Sequence, residues 1–130
     1  MPPQHLDRAA PLIVLVEDHP ETRDILRAVL ELAGYRVQAA QNGLEGLRAV
    51  QSAHPALVIT DLMMPVLDGL TLLHALRETW GHSIPVILVS SYSAGIPEGR
   101  AVEDHFDAAL RKPVTPSELL ATVNHVLDGP

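Results

Sequence analysis

The feature that most constrains this chain is an alternation, repeated five times, of short strand-like apolar runs with stretches of helical period. That alternation is the pattern of βα units wound around a parallel sheet. The runs are Leu12–Val16, Tyr35–Ala39, Ala56–Thr60, Val86–Val89 and Ala108–Arg111. The first is continuously apolar and rich in β-branched residues, as a strand covered on both faces should be. Between the runs, Pro20 suits the first position of a helix whose stripe is Ile25, Leu26, Val29 and Leu30, with Gly34 as a left-handed cap. Asn42-Gly43 opens a second helix that should turn Leu44, Leu47 and Val50 inward, and Pro55 stops it. Leu70, Leu73 and Leu76 mark the buried face of the next, and a weaker helix is expected between Pro97 and His105. Thr115-Pro116-Ser117-Glu118 is a capping box, followed by the stripe Leu119, Leu120, Val123, Val126 and Leu127.

With 130 residues, 47% of them hydrophobic, the chain can bury one core and not two. One domain is expected over residues 12–128, after a short flexible lead-in over 1–11 that carries three prolines. The net charge of -7 and the scattered lysines and arginines argue against a direct nucleic-acid surface. The absence of cysteine excludes disulfides, thiolate metal sites and thiol nucleophiles. No apolar run reaches membrane-spanning length, and no signal-peptide centre is visible, so a cytoplasmic location without membrane contact is the default. The seven histidines are dispersed, without the paired spacing of a zinc helix or finger. His19 differs in following Asp18, where it can modulate a metal site. Trp80, Phe106 and Tyr35 read as packing or rim residues rather than a nucleotide platform.

The chemistry gathers at the strand ends. Parallel strands all point one way, so residues at their carboxyl ends meet on one rim, where open α/β sheets hold ligands. Here the first strand delivers Glu17 and Asp18, the third Asp61, the fourth Ser90, and Lys112 follows the fifth. Converging carboxylates repel one another unless a cation or a lysine offsets them. Mg2+ suits a site with oxygen ligands and no cysteine. A transferred phosphoryl group needs its oxygens neutralised and its acceptor aligned, which a metal ion, an ammonium and a hydroxyl can do together.

These residues resemble the response-regulator receiver family over Leu12 to about Leu127. The strongest stretches are Val14-Leu15-Val16-Glu17-Asp18 and Asp61-Leu62-Met63-Met64-Pro65-Val66-Leu67-Asp68-Gly69, supported by Pro85-Val86-Ile87-Leu88-Val89-Ser90 and Lys112-Pro113. The resemblance implies a doubly wound, flavodoxin-like, five-stranded parallel sheet of order 2-1-3-4-5 with five flanking helices. It makes Asp61 the phosphoacceptor and gives Mg2+ to Glu17, Asp18, Asp61 and the backbone carbonyl of Met63. It has Ser90 bind a phosphoryl oxygen and Lys112 pair with the acyl phosphate, across a cis Lys112-Pro113 bond. The implied donor is a phosphohistidine on a sensor histidine kinase or a histidine phosphotransfer protein. The implied output is altered contact with a downstream protein target, and a homodimer is compatible with such a domain. Self-phosphorylation and self-dephosphorylation are expected, without turnover as an enzyme.

The chain also departs from the family. Ala109 stands where many receivers carry an aromatic switch residue, Val114 where phenylalanine is common, and His105-Phe106 where Gly-Ala is usual. Tyr92 and Met63 are placed to overhang the acceptor and slow loss of its phosphate, while Ser91 keeps a small group beside the site. Two alternatives compete. A degenerate receiver would serve only as an interaction module, which the intact set Glu17, Asp18, Asp61, Ser90 and Lys112 opposes. A phosphohydrolase with Asp61 as nucleophile would want a second acid at position 63, which is Met. The opening Met1 and the closing Asp128-Gly129-Pro130 favour a single-domain regulator over a piece of a larger protein.

Overall fold

The apolar runs become β1 (Leu12–Val16), β2 (Arg36–Ala40), β3 (Leu57–Thr60), β4 (Val86–Ser90) and β5 (Ala108–Arg111). The helical stretches become α1 (Pro20–Leu32), α2 (Gly43–Ala53), α3 (Gly69–Trp80) and α4 (Pro116–Asp128). The structure, a computed structural model, describes residues 10–64, 66–91 and 105–128. The helix expected between Pro97 and His105 lies outside the described residues, as does Tyr92. Every strand pairing is parallel and the order is β2-β1-β3-β4-β5, the doubly wound sheet expected. The second strand begins and ends one residue later than the sequence suggests, the third begins one later, and the fourth takes in Ser90.

The continuous apolarity of β1 has a simple cause: it is covered on both faces. Val14 and Val16 point into one core layer with Val58, Leu88 and the α3 residues Leu72, Leu73 and Leu76. Ile13 and Leu15 point into the other with Ile59, Val89, Leu26 and Leu30 of α1 and Leu119 and Val123 of α4. Phe106, in place of the small residue usual there, is buried in the first layer.

Three helix faces differ from the expectation. Ile25 is 63% exposed although its neighbour Leu26 is buried, and Leu44 is 39% exposed. In α2 the buried residues are Gly43, Gly46, Ala49 and Val50. The reason is close approach: a Cβ on Gly46 would stand 2.6 Å from Cγ2 of Val16, so α2 rests on β1 through its smallest residues and its leucines flank the contact. In α3, Leu72 is wholly buried and Leu70 only half-buried.

Local hydrogen bonds set the helix starts. Asn42 Oδ1 accepts from Glu45 N–H at 2.8 Å, and Asp68 Oδ1 from Thr71 N–H at 2.8 Å. The capping box at α4 forms in full, with Thr115 Oγ1 accepting from Glu118 N–H at 3.1 Å and Glu118 Oε1 from Thr115 N–H at 3.0 Å. Before β1, Ala10 is buried and its carbonyl accepts from Arg36 Nε at 2.9 Å. Among the described residues no helix is long and apolar enough to cross a membrane.

At the end of the sheet away from the acidic residues, Asp107 Oδ2 accepts from Val86 N–H and from Arg77 Nη2, each at 2.7 Å. Arg77 Nη1 also donates to the Ile84 carbonyl at 3.0 Å. One carboxylate thus ties α3 to the starts of β4 and β5. Asp107→Ala is expected to cost about 1–3 kcal/mol, because it leaves the buried Val86 N–H without its acceptor and Arg77 Nη2 without its carboxylate. A lowered urea midpoint at unchanged m-value would show it, and an unchanged midpoint would count against it.

Candidate functional site

The central strands bring the acidic residues together. Glu17 follows β1 directly, and its N–H donates to the Ala40 carbonyl at 3.0 Å. Asp61 follows β3, its N–H donating to the Val16 carbonyl at 3.2 Å and its own Oδ1 accepting from Leu62 N–H at 2.6 Å. Ser90 ends β4, buried, and its carbonyl accepts from Lys112 N–H at 3.0 Å. The Lys112–Pro113 bond is cis, as expected. Lys112 Nζ donates to Glu17 Oε1 at 2.7 Å and to Asp61 Oδ2 at 3.1 Å.

Oxygens of Glu17, Asp18 and Asp61 lie within 4.8 Å of one another. Glu17 is 2% exposed and Asp61 9%, whereas Asp18 faces solvent. Burial alone would lower the pKa of Lys112, but its hydrogen bonds and attraction to Glu17 and Asp61 outweigh burial and hold it above the ordinary 10.5. The ammonium therefore stays charged at neutral pH and bridges two of the three carboxylates, its single charge leaving the cluster net negative. What remains is a set of hard oxygen donors open to solvent through Asp18, a fit for a hard divalent cation.

The two ends of the loop after Asp61 are held together. Gly69 N–H donates to the Leu62 carbonyl at 2.8 Å, and a Cβ at Gly69 would fall 2.2 Å from the Asp61 carbonyl oxygen. Met63 is 64% exposed. Val66, 74% exposed, has φ 72°, a left-handed conformation that a β-branched residue adopts at a cost. Val66→Asn should raise stability by about 1 kcal/mol, since asparagine tolerates that conformation and no burial is lost. A thermal midpoint that does not rise would speak against the strain.

The structure brings together Glu17, Asp18, Asp61 and Lys112, with Ser90 buried at the adjoining strand end. His19 contributes its backbone N–H, which donates to Glu17 Oε2 at 3.1 Å, while its side chain is exposed. Ala109 is exposed on β5, and Val114 is half-buried against the α1 and α4 layer. Sequence reasoning missed Arg23, whose Nη1 donates to the Glu17 carbonyl at 2.8 Å. The available signal was its place in the first turn of α1, six residues after Glu17.

Fold and rim together define a class of protein: a doubly wound α/β domain with a lysine-bridged acidic pocket at the carboxyl ends of its strands. The family model for the response regulator receiver domain matches residues 13–124, and the chain belongs to that family. It is 37% identical over 112 residues to an uncharacterized 14.6 kDa protein of Leptolyngbya boryana, covering 85% of this chain and 86% of that one. It is 34% identical over 115 residues to the response regulator MprA of Mycobacterium sp. (strain KMS), covering 88% of this chain but only 50% of MprA. Among solved structures, the response regulator protein TrrA of Thermotoga maritima, in complex with Mg2+ and BeF, matches with a TM-score of 0.79 at 28% identity. That match covers 90% of this chain and 99% of TrrA.

Proposed function

We propose that this domain accepts a phosphoryl group onto Asp61 from a phosphohistidine on a separate kinase or phosphotransfer protein, and thereby alters its contacts with a downstream protein. The observation that carries this reading is the Lys112 ammonium bridging Glu17 and Asp61 inside the acidic cluster. Leu62 N–H fixes one oxygen of the Asp61 carboxylate and Lys112 the other, which orients the nucleophile. Attack forms the Asp61 O–P bond as the N–P bond to the donor imidazole breaks, and the imidazole leaves with that electron pair. Lys112 and the Ser90 hydroxyl then receive phosphoryl oxygens. Mg2+, held by Glu17, Asp18, Asp61 and the Met63 carbonyl, would supply charge neutralisation at those oxygens. The TrrA complex with Mg2+ and BeF supports that choice of ion. The chain is a switch in the cytoplasm and not a turnover enzyme. With Ala109 in place of an aromatic ring, the response has to run through Ser90 and the end of β4.

The experiment is incubation with acetyl phosphate and Mg2+, read by intact mass. A gain of one phosphoryl group that needs Mg2+ and disappears in Asp61→Asn is expected. The same gain in Asp61→Asn would refute the assignment.

The protein donor would land on a groove of about 400 Å³ beside Lys112, lined by Ile25, Leu26, Pro113 and Val114 among others. Lys112 both lines the groove and donates to Asp61 Oδ2, so a partner delivering a group to Asp61 would reach across it. Ile25→Asp should slow transfer from a protein donor about tenfold, as loss of an apolar anchor does, without affecting transfer from acetyl phosphate. Equal slowing with both donors would remove the docking role.

A further inference from the structure

Asp18 is the exposed member of the acidic cluster, and no hydrogen bond among the described residues holds its carboxylate. Its place beside Glu17 and Asp61 is therefore set by the backbone of the Glu17–His19 turn. Arg23 holds that turn through its side chain, next to the first helical bond of α1, which its backbone makes whatever the residue. Its guanidinium Nη1 donates to the Glu17 carbonyl at 2.8 Å, and its backbone N–H donates to the His19 carbonyl at 2.9 Å. These carbonyls lie on either side of Asp18. Glu17 is held from the inside as well, with Oε2 accepting from His19 N–H at 3.1 Å and Oε1 from Lys112. Because the peptide unit is planar, fixing the Glu17 carbonyl fixes the plane from which the Asp18 side chain departs.

We propose that Arg23 is a positioning residue for the cation site, holding the Glu17 carbonyl so that the Asp18 carboxylate meets those of Glu17 and Asp61. The inference rests on the reading of this cluster as a Mg2+ site. It makes a claim about sign. Arg23 is a cation near a site for a cation, and charge alone would make it weaken Mg2+ binding. If charge were its whole effect, removing it would tighten binding. If positioning dominates, removing it loosens binding in spite of the relieved repulsion, as loss of residues that orient metal ligands does.

The test compares the full chain with Arg23→Met and Arg23→Lys, titrating Mg2+ calorimetrically and measuring metal-free thermal unfolding in parallel. Methionine keeps the apolar stem without a donor, and lysine restores a donor for the Glu17 carbonyl. Arg23→Met is expected to weaken Mg2+ binding about three- to tenfold. Arg23→Lys is expected to stay within about twofold of the wild type. Should the methionine variant not fold, Arg23→Ser removes the same donor and is read in the same way. Unchanged or tighter binding without the donor overturns the inference, even if thermal stability falls. So does equal weakening in the lysine variant. A wild type that binds no Mg2+ instead removes the metal-site reading and takes this inference with it.

Discussion

Lys112→Met is expected to lose about 2–4 kcal/mol of stability in metal-free buffer at neutral pH, as breaking a buried ion pair does. The substitution leaves Glu17, 2% exposed, and Asp61 facing each other and Asp18 without their ammonium. Saturating Mg2+ should return most of the loss, because a cation bound only by the folded state stabilises by mass action and finds stronger attraction once the lysine is gone. Urea unfolding with and without Mg2+ measures this, and equal Mg2+ gains in variant and wild type would contradict it. The pH dependence separates the two proteins further. The folded-state pKa of Lys112 lies above its ordinary 10.5, so its contribution is complete below that value and is lost as pH rises through the folded-state pKa. Wild type should lose stability above pH 10.5 more steeply than Lys112→Met.

Gly69→Ala is the second large effect, about 3 kcal/mol or more by overpacking. The added Cβ would stand 2.2 Å from the Asp61 carbonyl oxygen and 3.0 Å from Leu62 Cα, both backbone atoms that cannot rotate away. Relief requires moving the backbone of Asp61 itself, so on the proposed reading molecules that still fold should also accept a phosphoryl group from acetyl phosphate more slowly at saturating Mg2+. Gly81→Ala is the control. Gly81 has φ 59° and open space around its missing Cβ, so alanine there costs only backbone strain, about 1–2 kcal/mol. Comparable denaturation midpoints for the two variants would show that the contact at Gly69 is not limiting.

The inner strands β1, β3 and β4 were legible because they are buried on both faces and so read as unbroken apolar runs between helix signals, whereas the edge strands β2 and β5 expose alternate residues. Even β5, with the weakest pattern, falls at Ala108–Arg111 as expected. The rim was legible for a topological reason: parallel order alone gathers Glu17, Asp18, Asp61, Ser90 and Lys112. Helix faces were less so. Periodicity ranks residues by size and polarity, and it set Leu44 inward where the structure uses Gly43 and Gly46, because contact distance between α2 and β1 decides which residue faces the sheet. Arg77 and Asp107 stand 30 residues apart, and nothing local in either announces the other. Arg23 acts on a backbone carbonyl, and a carbonyl has no letter in a sequence.

The bridge from Lys112 to Glu17 joins residues 95 positions apart, and that to Asp61 spans 51. Contacts of such separation close late, after the chain has met the loop-closure entropy of every intervening crossover. The rim is then expected to contribute little to the transition state for folding. A cation or phosphoryl group bound there should leave the refolding rate nearly unchanged and slow unfolding instead, shifting one arm of the chevron. Occupancy of the rim would in this way set how long a folded molecule lasts and not how quickly it forms.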